Sequence, residues 1–532
     1  MMSIVQTPLI IALVVIGLFF IIFTILEKKE MLKRYNLEMS GLFLIWKTER
    51  GKKFIESISQ KKRFWTAYGN ISIMVITVSM VIILVLLAWS AYLASFIPAE
   101  SAPSPRMVIG IPGVNPLIPV WYGILGLAVA IIVHEFSHGI LARLADVKVK
   151  TLGLVFVVVP IGAFVEPDEE EMEALPNIKR DRIYGAGPTA NIIFALVFVL
   201  LFSSVFMASI SPREDGLLVH GMVRGSQADL SDMGIGELVL SIDGNRVSSH
   251  EDIDSIDIPP MDDVTVRTRY GDSEREHTVV SGLTIVSVLP DYPADDAGLR
   301  ASDIIISIDD DYIRNYDDFN SVIQQRSSGD TVNITYSRHR DGDYITQMAT
   351  VVLLDKYESF QELYPHENKD EYRGQPYMGV TISYMGISFR DVGWIRQLMV
   401  NPYTGADSFN DYVMASLTYI SFPFLGLSPI PMEIAQLYEI TGPLSVIPES
   451  LFWTMANSFY WIFWLNLMVG LFNSLPAVPL DGGYVFKDGL SWLVEKFGMK
   501  ESTENKLVHG LSYFMAFLIL GMLLWQLIGP RI

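Results

Sequence analysis

Long apolar runs separated by polar stretches set the pattern of this chain. The runs Ile4–Ile25, Ile71–Phe96, Pro119–Leu144, Ile183–Ile210, Leu451–Leu475 and His509–Ile528 approach or exceed the roughly 20 residues that cross a bilayer as a helix. They predict six spans. The first is too long for a signal-peptide core and lacks a basic leader and a small-residue cleavage site, so it reads as a retained anchor. Leu152–Val165 is shorter, rich in Val, and interrupted by Pro160 and Gly162, which predicts a β-hairpin dipping into the membrane. A further apolar stretch from Tyr412 is broken by Pro423, Gly426 and Pro429. It predicts a re-entrant or surface segment that reaches Ser450 without crossing.

Basic residues orient these spans. Lys28, Lys29, Lys33, Arg34, Lys52, Lys53, Lys61, Lys62 and Arg63 crowd the stretch Glu27–Trp65, which makes it cytosolic by the positive-inside rule. Arg143, Lys148 and Lys150 close the third span, and Lys487, Lys496, Lys500 and Lys506 lie between the last two. The count puts both termini outside, and the region from Ser211 to about Pro402 on the extracytoplasmic side.

That outer region carries a repeat. Gly216-Leu-Leu-Val and Gly282-Leu-Thr-Ile open two units, Gly234-Ile235 and Gly298-Leu299 mark a turn in each, and Ser241-Ile-Asp243 recurs as Ser307-Ile-Asp309. The order strand, loop, turn, strand, short helix resembles a PDZ domain twice over. Such domains bind extended chains by adding a strand to a sheet edge, although a spacer or steric filter is an equal alternative. The first unit departs more from the pattern, with Gln227 where the second has Pro293.

Composition narrows the function. Half of the residues are hydrophobic and the mean hydropathy is +0.34, high for a soluble chain of 532 residues. There is no cysteine, so disulfides and thiolate metal sites are excluded. The net charge of -20 argues against a nucleic-acid partner. Between Arg213 and Lys356 stand roughly 28 acids against about 12 bases, so most of the excess lies in the repeat region.

The candidate chemistry starts at His134-Glu-Phe-Ser-His138. Residues four apart share a helix face, so both histidines can chelate one ion, with Glu135 beside it as a proton carrier. A pair of hydrogen-bonded histidines is the bland alternative, but ionisable groups inside a membrane are costly and usually functional. A catalytic zinc takes three protein ligands. Asp481, in Asn473-Ser-Leu-Pro-Ala-Val-Pro-Leu-Asp481-Gly482-Gly483, stands at the inner end of another span. Pro476 and Pro479 should break the helix there, and the two glycines permit close backbone approach. A solvated Asp-Gly turn fits the same residues. Gly187-Pro188-Thr-Ala-Asn191 sits at the inner end of a third span. Its asparagine is either a donor to a substrate carbonyl or a helix-packing amide.

Taken in order, the His134–His138 motif, Gly187-Pro188 with Asn191, the PDZ-like repeats and the Asn473–Asp481 motif resemble the site-2 protease family of intramembrane zinc metalloproteases, over about Leu117–Phe486. The resemblance implies one zinc ion held by His134, His138 and Asp481, with Glu135 as catalytic base. Asn191 and Asn473 would position substrate or stabilise the oxyanion. The Val-rich hairpin resembles the family's membrane-dipping β element, which guides an unwound substrate, and Thr441-Gly-Pro-Leu444 resembles a short element before its second catalytic span. The implied partners are the bilayer, transmembrane substrates already trimmed by another protease, and peptide ligands of the repeats. A divalent-ion transporter and an inactive scaffold are the rival readings.

The expected fold is a multi-pass α-helical membrane protein with an inserted soluble α+β region. Residues 1–116 hold two leading spans and a basic cytosolic loop. Residues 117–210 form the first half of the catalytic core, 211–281 and 282–356 the two PDZ-like domains, 357–450 a linker and non-crossing segment, and 451–532 the second half of the core.

Overall fold

The computed structural model describes residues 6–41, 43–48, 50–97, 104–108, 110–157, 159–340, 342–363, 370–496 and 501–531. The start of the first expected span at Ile4, the hairpin residue Val158 and Lys500 lie outside them. The chain divides into two compact units: residues 1–206, 420–429 and 448–532, and residues 207–419 and 430–447.

Five helical stretches among the described residues are long and apolar enough to cross a membrane: Lys62–Ala94, Val120–Leu144, Asn177–Ser209, Glu449–Asn473 and Lys506–Arg531, all in the first unit but for residues 207–209. A sixth helix, Gln6–Lys28, stands where the first span was expected, with side chains described from residue 17 onward. No span-length helix lies between residues 401 and 448 among the described residues; the longest there, Phe409–Ile420, has 12 residues. At 1.5 Å per residue that is about 18 Å, against a hydrocarbon core of about 30 Å.

Small residues bring the spans together. A Cβ at Gly126 would stand 2.8 Å from the Trp461 carbonyl oxygen, one at Gly185 2.8 Å from that of Ser72, and one at Gly470 3.1 Å from that of Pro188. Close backbone approach of this kind is how helices pack in lipid, where no hydrophobic drive separates helix from tail.

The Val-rich stretch is a hairpin of β3 (Val149–Val157) and β4 (Val159–Pro167), and it is half of a larger sheet. The basic segment read as a loop supplies β1 (Leu37–Ser40) and β2 (Phe43–Lys47), which give a four-stranded antiparallel sheet in the order β1-β2-β3-β4. The helix Arg50–Ser59 follows, and its Ile55 is fully buried with Leu141, Leu152, Val165 and Ile183. Leu44 pairs with Phe156 and Lys47 with Gly153, so β3 is paired on both sides, while among the described residues β4 pairs with no further strand on its outer edge.

The second unit holds two five-stranded antiparallel sheets, each with a two-residue side strand. One runs Ser273–Val280, Asp263–Tyr270, Leu238–Ile242, Leu217–Met222, Ile387–Asp391; the other runs Asp343–Val352, Thr331–Arg340, Ile304–Ile308, Leu283–Val288, Val380–Tyr384. The repeats are nested. The strand closing the first sheet comes after the whole of the second, and Val392 N–H donates to the Gly216 carbonyl at 3.0 Å where the insertion closes. Both closing strands lie in the stretch 357–450 that the sequence pattern assigns to a linker. Tyr377-Met378-Gly379 and Tyr384-Met385-Gly386 introduce them. Both glycines have positive φ, and a Cβ would meet Tyr292 Cβ at 2.6 Å and Ser226 Cβ at 2.9 Å. Only glycine suits these turns.

Candidate metal centre

The helix Val120–Leu144, here the His134 helix, turns both imidazoles toward the start of the helix Asp481–Lys496, the Asp481 helix. His134 Nε2 lies 3.1 Å and His138 Nε2 3.4 Å from Asp481 Oδ2. Two ligands each about 2.05 Å from a tetrahedral ion stand about 3.3 Å apart. Both distances to the carboxylate match that edge, and all three donors lie within 4.8 Å of one another. Two imidazoles and a carboxylate are a donor set that zinc accepts with one position left open.

The surroundings are built for these donors. His138 Nδ1 is 2.7 Å from the Ile183 carbonyl oxygen, which places the ring N–H there and leaves Nε2 as a lone-pair donor. Gly187 lies against both rings: a Cβ would stand 2.4 Å from His138 Nε2 and 2.7 Å from His134 Nε2. Tyr68 fixes the adjoining turn by donating to the Ala186 carbonyl at 2.8 Å. The helix Glu449–Asn473 ends where the Pro476–Pro479 loop begins, and the Asp481 helix folds back on it. A Cβ on Gly482 would stand 2.1 Å from the Ser474 carbonyl oxygen, and one on Gly483 2.4 Å from Val478 N. That contact carries Asp481 to the histidines.

Glu135 sits beside them, and its Oε2 accepts the Val165 backbone N–H at 3.0 Å. Val165 belongs to β4 and turns this N–H away from β3. The base candidate is thus tied to the bare edge of the sheet. Sequence reasoning missed Val165, because a backbone donor leaves no side-chain signal.

Asn191 is fully buried one turn beyond Gly187, and neither atom of its amide has a partner among the described residues. Asn473 is half-buried, and its Nδ2 donates to the Val469 carbonyl at 3.1 Å. Within the described residues, His134, His138 and Asp481 are the group of His, Asp or Glu side chains close enough to share an ion.

The model of peptidase family M50 matches residues 122–519, three quarters of the chain. The chain belongs to peptidase family M50, the site-2 protease family. The chain is also similar to individual proteins. An uncharacterised protein of Methanocaldococcus jannaschii is 32% identical over 46% of this chain and 63% of its own length. Protease RseP of Yersinia pestis is 21% identical over 75% of this chain and 95% of its own length. The solved PDZ domain of an SdrC-like protein from Listeria monocytogenes is 30% identical over 19% of this chain and 86% of that domain, with a TM-score of 0.15. This chain thus spans less than two thirds of the archaeal relative. As an M50 member with five span-length helices, it is a membrane protein of a zinc metalloprotease family.

Proposed function

We propose that this chain is a zinc-dependent intramembrane endopeptidase that cuts membrane-anchored proteins. The observation that carries the reading is the convergence of His134, His138 and Asp481 beside a glutamate hydrogen-bonded to a bare strand edge. One zinc ion held by those three residues would lower the pKa of a coordinated water to about 7 and polarise the scissile carbonyl.

The remaining work falls to the chain itself. A helical substrate hides its carbonyls in hydrogen bonds and must unwind before attack. The free edge of β4 can pair with the unwound segment and deliver it next to Glu135. Glu135 would take the proton from the attacking water and hand it to the leaving amine. The unpartnered Asn191 amide would donate to the carbonyl oxygen as its charge grows, and Asn473 would help to hold the chain.

The PDZ-like repeats would stand on the extracytoplasmic side and the metal toward the cytosol, as the loop charges imply. Among the described residues both closing strands are the end strands of their sheets, and they flank an open groove of about 260 Å³, lined among others by His250, Asp254, Ile382, Tyr384, Phe389 and Arg390. A groove of this kind can take an extended chain end, or screen out substrates whose outer domain is untrimmed.

The test is Glu135→Gln, with zinc content and cleavage of a membrane substrate measured on the same preparation. A protease keeps zinc and loses cleavage. Absence of cleavage in the unaltered chain as well, together with zinc flux across vesicles, would establish a transporter instead.

A further inference from the structure

The helix Asn177–Leu200, which carries Gly187 and Asn191, meets the Asp481 helix along a seam of three rungs. At the first rung, Gly187 lies against the imidazoles that face Asp481. At the second, Tyr184 and Tyr484 stack with ring centroids 4.7 Å apart and planes 12° from parallel. At the third, Arg180 grips Asp488 in a two-pronged pair, Nε to Oδ2 and Nη2 to Oδ1, both at 2.7 Å. Arg180 is itself held, donating to Asn177 Oδ1 at 3.1 Å and to the Glu173 carbonyl at 3.3 Å. The side chain of Asp488 is only 9% exposed.

The spacing makes the rungs a unit. Gly187, Tyr184 and Arg180 are three and four residues apart and share one helix face, as do Asp481, Tyr484 and Asp488. Asp481 is the first residue of its helix and follows a proline-broken loop, so no helical turn before it fixes its position. A slip of one residue along that helix would move the carboxylate about 1.5 Å and turn it about 100°. Metal–ligand distances tolerate about 0.2 Å. The contacts of Gly482 and Gly483 hold only its first turn, so a hold further along the helix would secure its register.

We propose that this seam does so. Arg180, Asp488, Tyr184 and Tyr484 are positioning residues that bring the Asp481 carboxylate to the two histidines. A buried ion pair adds little net stability, but it specifies register well, because any slipped arrangement leaves a charge buried alone. The proposal rests on the zinc reading above.

The experiment measures zinc stoichiometry, and the rate of zinc release to a chelator, for the purified full chain. The unaltered chain should hold one zinc. Arg180→Gln and Asp488→Asn should each release it about 10- to 100-fold faster, the range for groups that orient metal ligands. The charge exchange, Arg180→Asp with Asp488→Arg, should bring release back toward the unaltered rate, which a general loss of stability would not do. Tyr484→Leu leaves no lone charge, should also speed release, and decides the matter if the charge variants fail to fold. Release at the unaltered rate in folded variants overturns the seam, as does an exchange variant no slower than the single ones. If the unaltered chain binds no zinc, the zinc reading itself falls and takes the seam with it.

Discussion

Val165 donates its backbone N–H to the Glu135 carboxylate across 3.0 Å. Under the proposed function the pair would join a proton carrier to a surface that pairs with an unfolded backbone. Leu152 pairs opposite Val165 and Leu154 opposite Ala163, so Ala163 also turns its N–H to the bare edge.

A proline at Ala163 should therefore block a guest strand without breaking the hairpin, since proline is tolerated where the N–H faces outward. Cleavage should slow by about 10- to 100-fold with zinc retained. Phe156 is a poorer target, because it pairs with both Leu44 and Pro160, and proline there would damage the sheet itself. Unchanged cleavage in Ala163→Pro would remove β4 from the mechanism.

Gly187→Ala should abolish zinc binding, because the added methyl carbon would stand 2.4 Å from His138 Nε2. Gly470→Ala meets its neighbours at 3.1 Å or more and should keep the metal at a cost of about 1–3 kcal/mol in stability. Metal analysis of the two purified variants gives the rank order, and a zinc-loaded Gly187→Ala would refute the packing argument.

Asn191→Ala removes an amide that has no partner among the described residues. Thermal stability should barely change, while kcat falls about 100- to 1,000-fold with KM nearly constant, the signature of a lost oxyanion donor. Asn473 already donates to Val469, so Asn473→Ala should act more on KM than on kcat. Steady-state kinetics on one substrate separates the two.

Deleting residues 216–354 would leave Val380–Tyr384 and Ile387–Asp391 as two strands without sheets. That variant should aggregate on size-exclusion chromatography. Deleting 216–391 removes both repeats whole, at a point where Gly216 and Val392 are already hydrogen-bonded. This second variant should stay monodisperse and cleave a broader set of membrane substrates. Loss of all cleavage would argue against a filter.

What could be read from the sequence follows the range of the interactions. The His134–His138 motif lies within one helix turn, and Asp481 follows Asn473 within a short proline-marked loop, so local chemistry exposes them. The strands β1 and β2 were hidden, because four or five residues in a lysine-rich stretch carry little alternation; β2 is ordered by pairing with β3, more than 100 residues away, and β1 by pairing with β2. The nesting of the repeats was hidden for the same reason: the copies recur at a spacing of 66 residues in their bodies but only seven at the closing strands, Tyr377 against Tyr384. Arg180 and Asp488 are separated by 308 positions, and nothing near either one announces the other.

The strands β1 and β2 also bear on how copies of this protein can live crowded together. A lone hairpin presents two unpaired rims, and sheets with two such rims can grow from molecule to molecule. Here the rim of β3 is taken by the chain's own leading segment, which stops at a four-residue strand bearing Glu38. The stub is too short and too charged to recruit a neighbour. The other rim, that of β4, lies against Glu135, so under the proposed function a strand captured from a passing protein would arrive at the proposed base rather than at the seed of a fibre.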